Sequence, residues 1–314
     1  MKAFFQAGIL ATAALSLSGC QMALMDPQGP IGAEEKSIIL LATGLMLVVV
    51  LPVIAMTIAF AWRYRASNQA AVYAPEWHHS NLIEAVVWAV PCLIIVALGI
   101  VTWTSTHQLD PRAPLASDLK PVEVEVVSLD WKWLFIYPDY HVASVNQLAL
   151  PVGRPVHFRL TSATVMDSFF IPQLGSQIYT MTGMETQLSL LADHPGVYDG
   201  ISSNYSGKGF AAMNFKALAL NGSGFDAWIA RARAAKTKLD AASYKKLAAP
   251  GVGNGAVYYG AVAPTLYHDI LNKCLGGATC TDDAVTLAMA KAMAPGKAIC
   301  THPEVQSSLP KHKS

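Results

Sequence analysis

Two long apolar segments lie near the N-terminus, and each is long enough to cross a lipid bilayer. Residues 37–62 carry no charged side chain, and residues 82–103 carry one carboxylate, Glu84, close to their start. About 20 apolar residues span the hydrocarbon core, and a proline within such a segment is tolerated there. The pattern therefore predicts a hairpin of two transmembrane α-helices.

After residue 121 the pattern changes to short runs. The segment VEVEVVSL at 122–129 alternates polar and apolar positions, and seven more short runs follow up to residue 220, separated by Pro, Gly, Asn or Asp. Short strands joined by turns are typical of a β-sandwich or barrel. Beyond residue 224 the apolar positions have a helical spacing, which places Phe225, Trp228 and Ile229 on one face of the predicted helix.

The first 20 residues have the form of an export signal. A lysine precedes an apolar run that is too short to span a bilayer, and the run ends in LSGC, which resembles a bacterial lipoprotein box. This box predicts cleavage before Cys20 and lipid attachment to its thiol; the alternative is an ordinary secretory signal with a chance cysteine. With the processed end outside, Arg63 and Arg65 lie in a cytoplasmic loop and the β-region is periplasmic. The predicted divisions are a signal peptide (1–19), a transmembrane hairpin (20–107), a β-domain (108–222) and a C-terminal extension (223–314).

Composition supports a membrane protein and excludes some partners. Charged residues make up 14% of the chain, against about a quarter in soluble domains. The net charge of +1 gives no basis for nucleic-acid binding. The five cysteines form no CxxC pair, which argues against a zinc ribbon or a thioredoxin-like site. Among Cys274, Cys280 and Cys300, which would lie in an oxidising compartment, we expect one disulfide, and the spacing leaves the pair open.

Three motifs in the β-region carry a family resemblance. The segment Asp130-Trp131-Lys132-Trp133 resembles the aromatic segment that opens the β-domain of subunit II of the haem-copper oxidases. Residues 165–175 resemble the strand with that family's first copper ligand, and residues 200–213 resemble its copper loop. The resemblance implies a cupredoxin-like sandwich after the two helices. Trp131 and Trp133 alternate on the expected strand, so we predict that they share a face and serve in packing.

The C-terminal extension resembles the aromatic-rich motif of the cytochrome bo-type ubiquinol oxidase branch of this family. The resemblance implies a helical, aromatic-rich extension behind the all-β domain. The matching positions are Phe225, Trp228, Tyr244, Leu247, Tyr258, Tyr259, Leu266, Tyr267 and Ile270.

The copper ligands of the family are replaced in this chain. In the copper-bearing branch, a binuclear centre uses two cysteines, two histidines, a methionine and a glutamate carbonyl, with the loop spacing C-x-E-x-C-x-x-x-H-x-x-M. Two thiolates must bridge the two copper ions, because soft sulfur ligands suit Cu(I). Only the methionine is kept here, so we predict no metal site and no catalytic residue in this chain. The residues at the six former ligand positions are Asp167, Ser202, Asn204, Ser206, Phe210 and Met213.

Glu84 is the main functional candidate in the membrane hairpin. A carboxylate at membrane depth is costly and indicates a function. The family resemblance places a glutamate here, near the entrance of a proton path into the catalytic subunit, and matches His79 to a histidine at that entrance. The alternative is an interfacial glutamate in contact with water and lipid headgroups.

The resemblance implies subunit II of a proton-pumping quinol oxidase, with ubiquinol as the substrate of the complex. Haems and copper would belong to the partner subunit I, and this chain would bind no cofactor itself. The other expected partners are the remaining oxidase subunits and membrane lipid, in the bacterial inner membrane. The sequence also suggests two alternatives. A copper-bearing cytochrome c oxidase subunit conflicts with the replaced ligands, and a non-enzymatic cupredoxin-like lipoprotein for oxidase assembly should show exposed Met, His or Cys clusters.

Overall fold

The computed structural model describes residues 22–72, 76, 78–253, 255–282 and 285. Two long helices come first, α1 (Pro30–Arg63) and α2 (Asn81–Gln108), and both are apolar and long enough to cross a membrane. Proline at the first position of α1 suits a helix start, because its missing N–H would be unpaired there in any case. The two predicted spans are confirmed as helices, each a few residues longer than its apolar segment.

A two-sheet sandwich follows the helices. The strands are β1 (Val122–Leu129), β2 (Lys132–Tyr137), β3 (Val142–Val145), β4 (Gln147–Pro151), β5 (Val156–Ser162), β6 (Asp167–Ile171), β7 (Gly175–Thr180), β8 (Thr186–Leu190), β9 (Gly196–Ser202), β10 (Asn214–Leu220), β11 (Lys238–Leu239), β12 (Val257–Tyr259) and β13 (Ala261–Val262). The six-stranded sheet has the order β12-β3-β2-β1-β5-β8, and the five-stranded sheet has the order β4-β10-β9-β6-β7. The short strands β11 and β13 form a separate parallel pair.

Aromatic rings fill the space between the two sheets. Phe169 and Phe215 stack with ring centroids 5.2 Å apart, and Trp133 meets both of them edge-on. Gly200 pairs with Phe215 across β9 and β10, and a side chain at Gly200 would collide with the Phe215 ring. The glycine is therefore required for the ring to lie in the core.

The C-terminal extension packs against the sandwich at two places. Its first helix, α3 (Gly222–Arg233), buries Phe225, Trp228 and Ile229 in the main core, as the spacing predicts. Two shorter helices, α4 (Ala241–Leu247) and α5 (Leu266–Leu271), cover the outer face of the six-stranded sheet, which would otherwise be exposed apolar surface.

Two sequence-based expectations about local structure are wrong. Trp131 does not share a strand face with Trp133, because it has a left-handed backbone (φ 63°) in the turn before β2. The helical pattern after residue 224 is also interrupted, because Lys238–Leu239 pairs with Ala261–Val262 as a strand. The next helix then restarts at Asp240, whose side chain accepts a hydrogen bond from the Ser243 N–H at 2.8 Å.

The start of α1 is fastened to the edge of the five-stranded sheet. The Glu35 carboxylate accepts hydrogen bonds from the Ser176 N–H at 2.8 Å and its hydroxyl at 2.9 Å. The Gly32 N–H donates to the Leu174 carbonyl at 3.1 Å. These contacts cover the β7 edge, where unpaired backbone groups would invite association, and they attach the β-domain directly to the first span.

Candidate functional sites

Asp167 and Ser202, two of the predicted former copper-ligand positions, lie at one end of the sandwich, where β6 begins and β9 ends. Asp167 is 1% exposed and Ser202 is 5% exposed. The Ser202 hydroxyl donates to the Asp167 carboxylate at 3.3 Å, and the Ser128 hydroxyl donates to its other oxygen. Burial raises the pKa of Asp167, and hydrogen bonds from serines, Ser128 first, oppose that rise. A buried carboxyl group thus lies at the position that the sequence resemblance matches to a metal-binding histidine.

The loop between β9 and β10 brings in the other former ligand positions. The Ser206 hydroxyl lies 3.7 Å from the Met213 sulfur. The Asn204 side chain donates to the Met166 carbonyl at 3.0 Å. The Phe210 ring packs edge-on against Tyr205, with centroids 5.6 Å apart. The structure therefore gathers the carboxylate, two serines and the methionine, while the other two side chains hold the loop.

The side chains of this cluster do not fit the ligand set of a binuclear copper centre. The cluster offers one buried carboxyl, neutral hydroxyls and a thioether, whereas the centre needs two bridging thiolates and imidazoles. Trp131 closes the same loop, because its indole N–H donates to the Ser206 carbonyl at 3.1 Å and its ring leaves no room for a side chain at Gly209. The loop is thus held by hydrogen bonds and packing.

Glu84 and His79 lie together at the end of the hairpin opposite the β-domain. Glu84 is in the first turn of α2, and its carboxylate is 3.4 Å from the His79 Nδ1. Both side chains are more than half exposed. A carboxylate is favoured at a helix N-terminus by the helix dipole, and the histidine supplies a second group that can carry a proton. The two side chains therefore form an exposed polar pair at this end of the hairpin.

A charge cluster that the sequence did not reveal joins the sandwich to the extension. Arg159 on β5 donates to Glu185 at 2.7 and 3.0 Å and to Glu125 on β1 at 3.1 Å. Its guanidinium also lies 5.1 Å from the ring centroid of Tyr267 on α5. The strand pairing Glu125↔Arg159 brings together residues 34 positions apart, which no local pattern indicates.

Two carboxylates share this one guanidinium, which predicts a pH-dependent stability. Burial raises the pKa of Glu125 from 4.5 to about 7, and Arg159 only partly opposes the rise. Between pH 4.5 and about 7, the Glu125 carboxyl loses its proton in the unfolded chain and keeps it in the folded chain. The free energy of unfolding should therefore fall as the pH rises from about 4.5 to 7, by at most about 3 kcal/mol, and level off above that.

Glu125→Gln should remove this pH dependence and stabilise the protein above pH 7. The measurement is denaturant unfolding of the purified chain in detergent, followed across pH by tryptophan fluorescence. Asp226→Asn is the control, because Asp226 is an exposed carboxylate on α3 and lies outside this cluster. An unchanged pH profile in Glu125→Gln would rule out this carboxyl as the source.

The remaining predicted sites have mixed outcomes. The disulfide that the sequence left open joins Cys274 and Cys280. Cys92 lies exposed on α2 as a free thiol. Cys20 and Cys300 lie outside the described residues, so lipid attachment to Cys20 stays a prediction.

Two family models and a solved structure match parts of the chain. The family model "Cytochrome C oxidase subunit II, periplasmic domain" matches residues 139–219, and "COX Aromatic Rich Motif" matches residues 233–278. The periplasmic domain of subunit II of cytochrome oxidase of Bradyrhizobium japonicum is a structural match with a TM-score of 0.34 and 22% identity, over 37% of this chain and 96% of that one.

Curated relatives match most of the chain. Cytochrome bo(3) ubiquinol oxidase subunit 2 of Pseudomonas aeruginosa is 56% identical over 260 residues, which cover 83% of this chain and 78% of that protein. Ubiquinol oxidase subunit 2 of Acetobacter aceti is 50% identical over 268 residues, covering 85% and 87%. From these identities over most of both proteins, together with the two helices and the cupredoxin-like sandwich, the chain belongs to the ubiquinol oxidase subunit 2 family of the haem-copper quinol oxidases.

Proposed function

We propose that this chain works in its oxidase without a copper centre of its own. Its β-domain covers the periplasmic face of the catalytic subunit, and electrons reach the haems from ubiquinol in the membrane. The observation that carries the proposal is the replacement of thiolate and imidazole ligands by Asp167, Ser202, Ser206 and Phe210. A soluble electron donor would need a metal relay in this domain, whereas a lipid-soluble donor does not.

The location and partners of the chain follow from the same proposal. The two spans lie in the inner membrane with the β-domain in the periplasm, and lipid on Cys20 adds a second attachment. Haems, copper and most of the quinol site lie in subunit I, which contacts the exposed apolar faces of α1 and α2. The complex reduces oxygen to water and pumps protons.

Glu84 supplies protons to subunit I from the cytoplasmic side. With the β-domain outside, the end of the hairpin that carries Glu84 faces the cytoplasm, where protons for oxygen reduction are collected. His79, 3.4 Å away, exchanges protons with the carboxylate. Neither residue contacts quinol or oxygen, so their role is supply.

Copper analysis of the purified chain tests the proposal. We expect no stoichiometric copper and no purple thiolate absorption after incubation with Cu(II) in the absence of reductant, which keeps the Cys274–Cys280 disulfide intact. Asp167→His, Ser202→Cys, Ser206→Cys and Phe210→His together should restore two copper ions per chain, whereas Ser202→Cys alone should not, because one thiolate cannot bridge two ions. Stoichiometric copper in the unaltered chain would refute the proposal.

The alternative of a non-enzymatic assembly lipoprotein has less support. The curated relatives that match most of the chain are named as oxidase subunits. Co-purification decides between the two, because an oxidase subunit stays with the haem-bearing subunit in equal amounts, whereas an assembly factor leaves the finished complex.

A further inference from the structure

Four potential metal ligands converge beside α5 in the C-terminal extension. They belong to His268, Asp269, Cys274 and Cys280, and their ligand atoms all lie within 4.8 Å of one another. The Asp269 Oδ1 is 3.6 Å from the His268 Nδ1 and 3.7 Å from the Cys274 sulfur. Zinc bonds of 2.0–2.3 Å make a coordination tetrahedron with edges of about 3.3–3.8 Å. Both distances therefore match the edges of such a tetrahedron.

The outer atoms of two of these ligands are already held in place. The His268 Nε2 is hydrogen-bonded to the Asp282 carboxylate at 3.0 Å, and the Thr265 hydroxyl donates to the Asp269 Oδ2 at 2.9 Å. This leaves the Nδ1 of the histidine and the Oδ1 of the aspartate directed towards the sulfur atoms. A histidine bound to a carboxylate through its other nitrogen is the usual support of a zinc-binding imidazole.

The two sulfur atoms are joined as a disulfide, which blocks metal binding. The ends of the Cys274–Cys280 loop do not depend on that bond. The Cys274 N–H donates to the Asp269 carbonyl at 2.9 Å, and the Thr281 N–H donates to the Asn272 carbonyl at 2.9 Å. Between them, Gly276 has a positive φ and open space around it, so the loop has room to adjust when the sulfurs separate.

We propose that reduction of the Cys274–Cys280 disulfide opens a tetrahedral zinc site formed by these two thiolates, the His268 Nδ1 and the Asp269 Oδ1. Two electrons and two protons from a dithiol convert the disulfide into two thiols, and the dithiol becomes a disulfide. Zinc then displaces the two thiol protons. Mixed sulfur and nitrogen ligands select zinc over magnesium or calcium. The same loop is thus closed by a disulfide under oxidising conditions and by a metal ion under reducing conditions.

Zinc binding to the full chain in detergent tests this proposal. The chain carries Cys20→Ser, Cys92→Ser and Cys300→Ser, so that no thiol outside the proposed site contributes. After treatment with a phosphine, which takes up the disulfide's oxidising equivalents with water to give its oxide, we expect one zinc ion per chain after desalting under argon. The untreated chain should hold none. Cobalt in place of zinc should give thiolate-to-cobalt charge-transfer absorption.

Variants separate the proposed site from adventitious binding. His268→Ala and Asp269→Ala should each weaken zinc binding more than about tenfold, and Asp282→Asn about tenfold. His194→Ala is the control, because that histidine is exposed and lies outside the cluster. The proposal is overturned if the untreated chain binds as much zinc as the reduced chain. It is also overturned if the reduced Cys274→Ser/Cys280→Ser variant binds as much zinc as the reduced chain with both cysteines. Unweakened zinc binding in both His268→Ala and Asp269→Ala would overturn it as well. If the double serine variant misfolds, two other measurements test the proposal. They are the dependence of zinc binding on phosphine treatment and the zinc affinity of His268→Ala, which alters an exposed side chain.

Discussion

Trp228→Ala is expected to lower the free energy of unfolding by about 4 kcal/mol, within the range for deleting a fully buried tryptophan. The Trp228 side chain is 1% exposed. Its ring lies 5.2 Å from that of Tyr137 in the sandwich and 5.9 Å from that of Tyr258 in the extension. Removing it therefore leaves a cavity at the junction of the two regions.

The same substitution breaks a partly buried polar contact. The Trp228 indole N–H donates to the Gln147 side-chain carbonyl at 3.0 Å, and the Tyr258 hydroxyl donates to the same oxygen. Because Tyr258 lies on β12, which pairs with β3, this contact fixes the edge of the six-stranded sheet. We expect Trp228→Ala to loosen β12 and the helices that follow it as well as the core.

Denaturant unfolding of the full chain in detergent, followed by circular dichroism, measures the loss. Trp228→Phe keeps most of the packing and loses the hydrogen bond, so about 1–2 kcal/mol is expected. Tyr205→Ala is the control, because Tyr205 is 76% exposed and surface changes stay within about 0.5 kcal/mol. If Trp228→Ala unfolds like Tyr205→Ala, the helix α3 does not stabilise the sandwich.

The regular strands and both spans could be predicted because their patterns are local. The alternation in Val122–Leu129 marks β1, although its second half is buried on both faces, since the extension covers the outer side. The strand Gly175–Thr180 shows no comparable alternation of strong apolar residues, and it is held by pairing with β6 and by the start of α1. Its strand structure depends on tertiary contacts.

The candidate sites likewise divide into those that a local sequence pattern indicates and those that depend on tertiary contacts. The former ligand positions lie close together in sequence apart from Asp167, and a spacing motif is sufficient to find them. The Arg159 cluster depends on strand register, and the ligands around His268 depend on how the disulfide loop folds back on α5. The turn at Trp131 could not be predicted, because a residue in a left-handed turn looks the same in sequence as a strand residue.

Glu84→Gln is expected to slow the proton-coupled reduction of oxygen about tenfold, which corresponds to about 1.4 kcal/mol in activation free energy. Glutamine keeps the size of the side chain and cannot release a proton. Glu84→Asp keeps the acid and shortens its reach by one methylene. The expected order of rates is therefore wild type, then Asp, then Gln and Ala, with assembly and haem content unchanged.

The measurement is the rate of the individual reduction step that consumes protons. Steady-state oxygen consumption is less suitable, because a second route of proton uptake would mask the effect of the Glu84 variants. Glu34→Gln is the matched control: Glu34 is an exposed carboxylate in the first turns of α1, at the other end of the hairpin. If Glu84 collects protons from the cytoplasm, its loss slows proton uptake while the Glu34 variant behaves as wild type. An interfacial glutamate predicts equal rates in all variants. Wild-type speed of this step in a fully assembled Glu84→Ala oxidase would therefore remove Glu84 from the proton path and leave the chain a purely structural subunit.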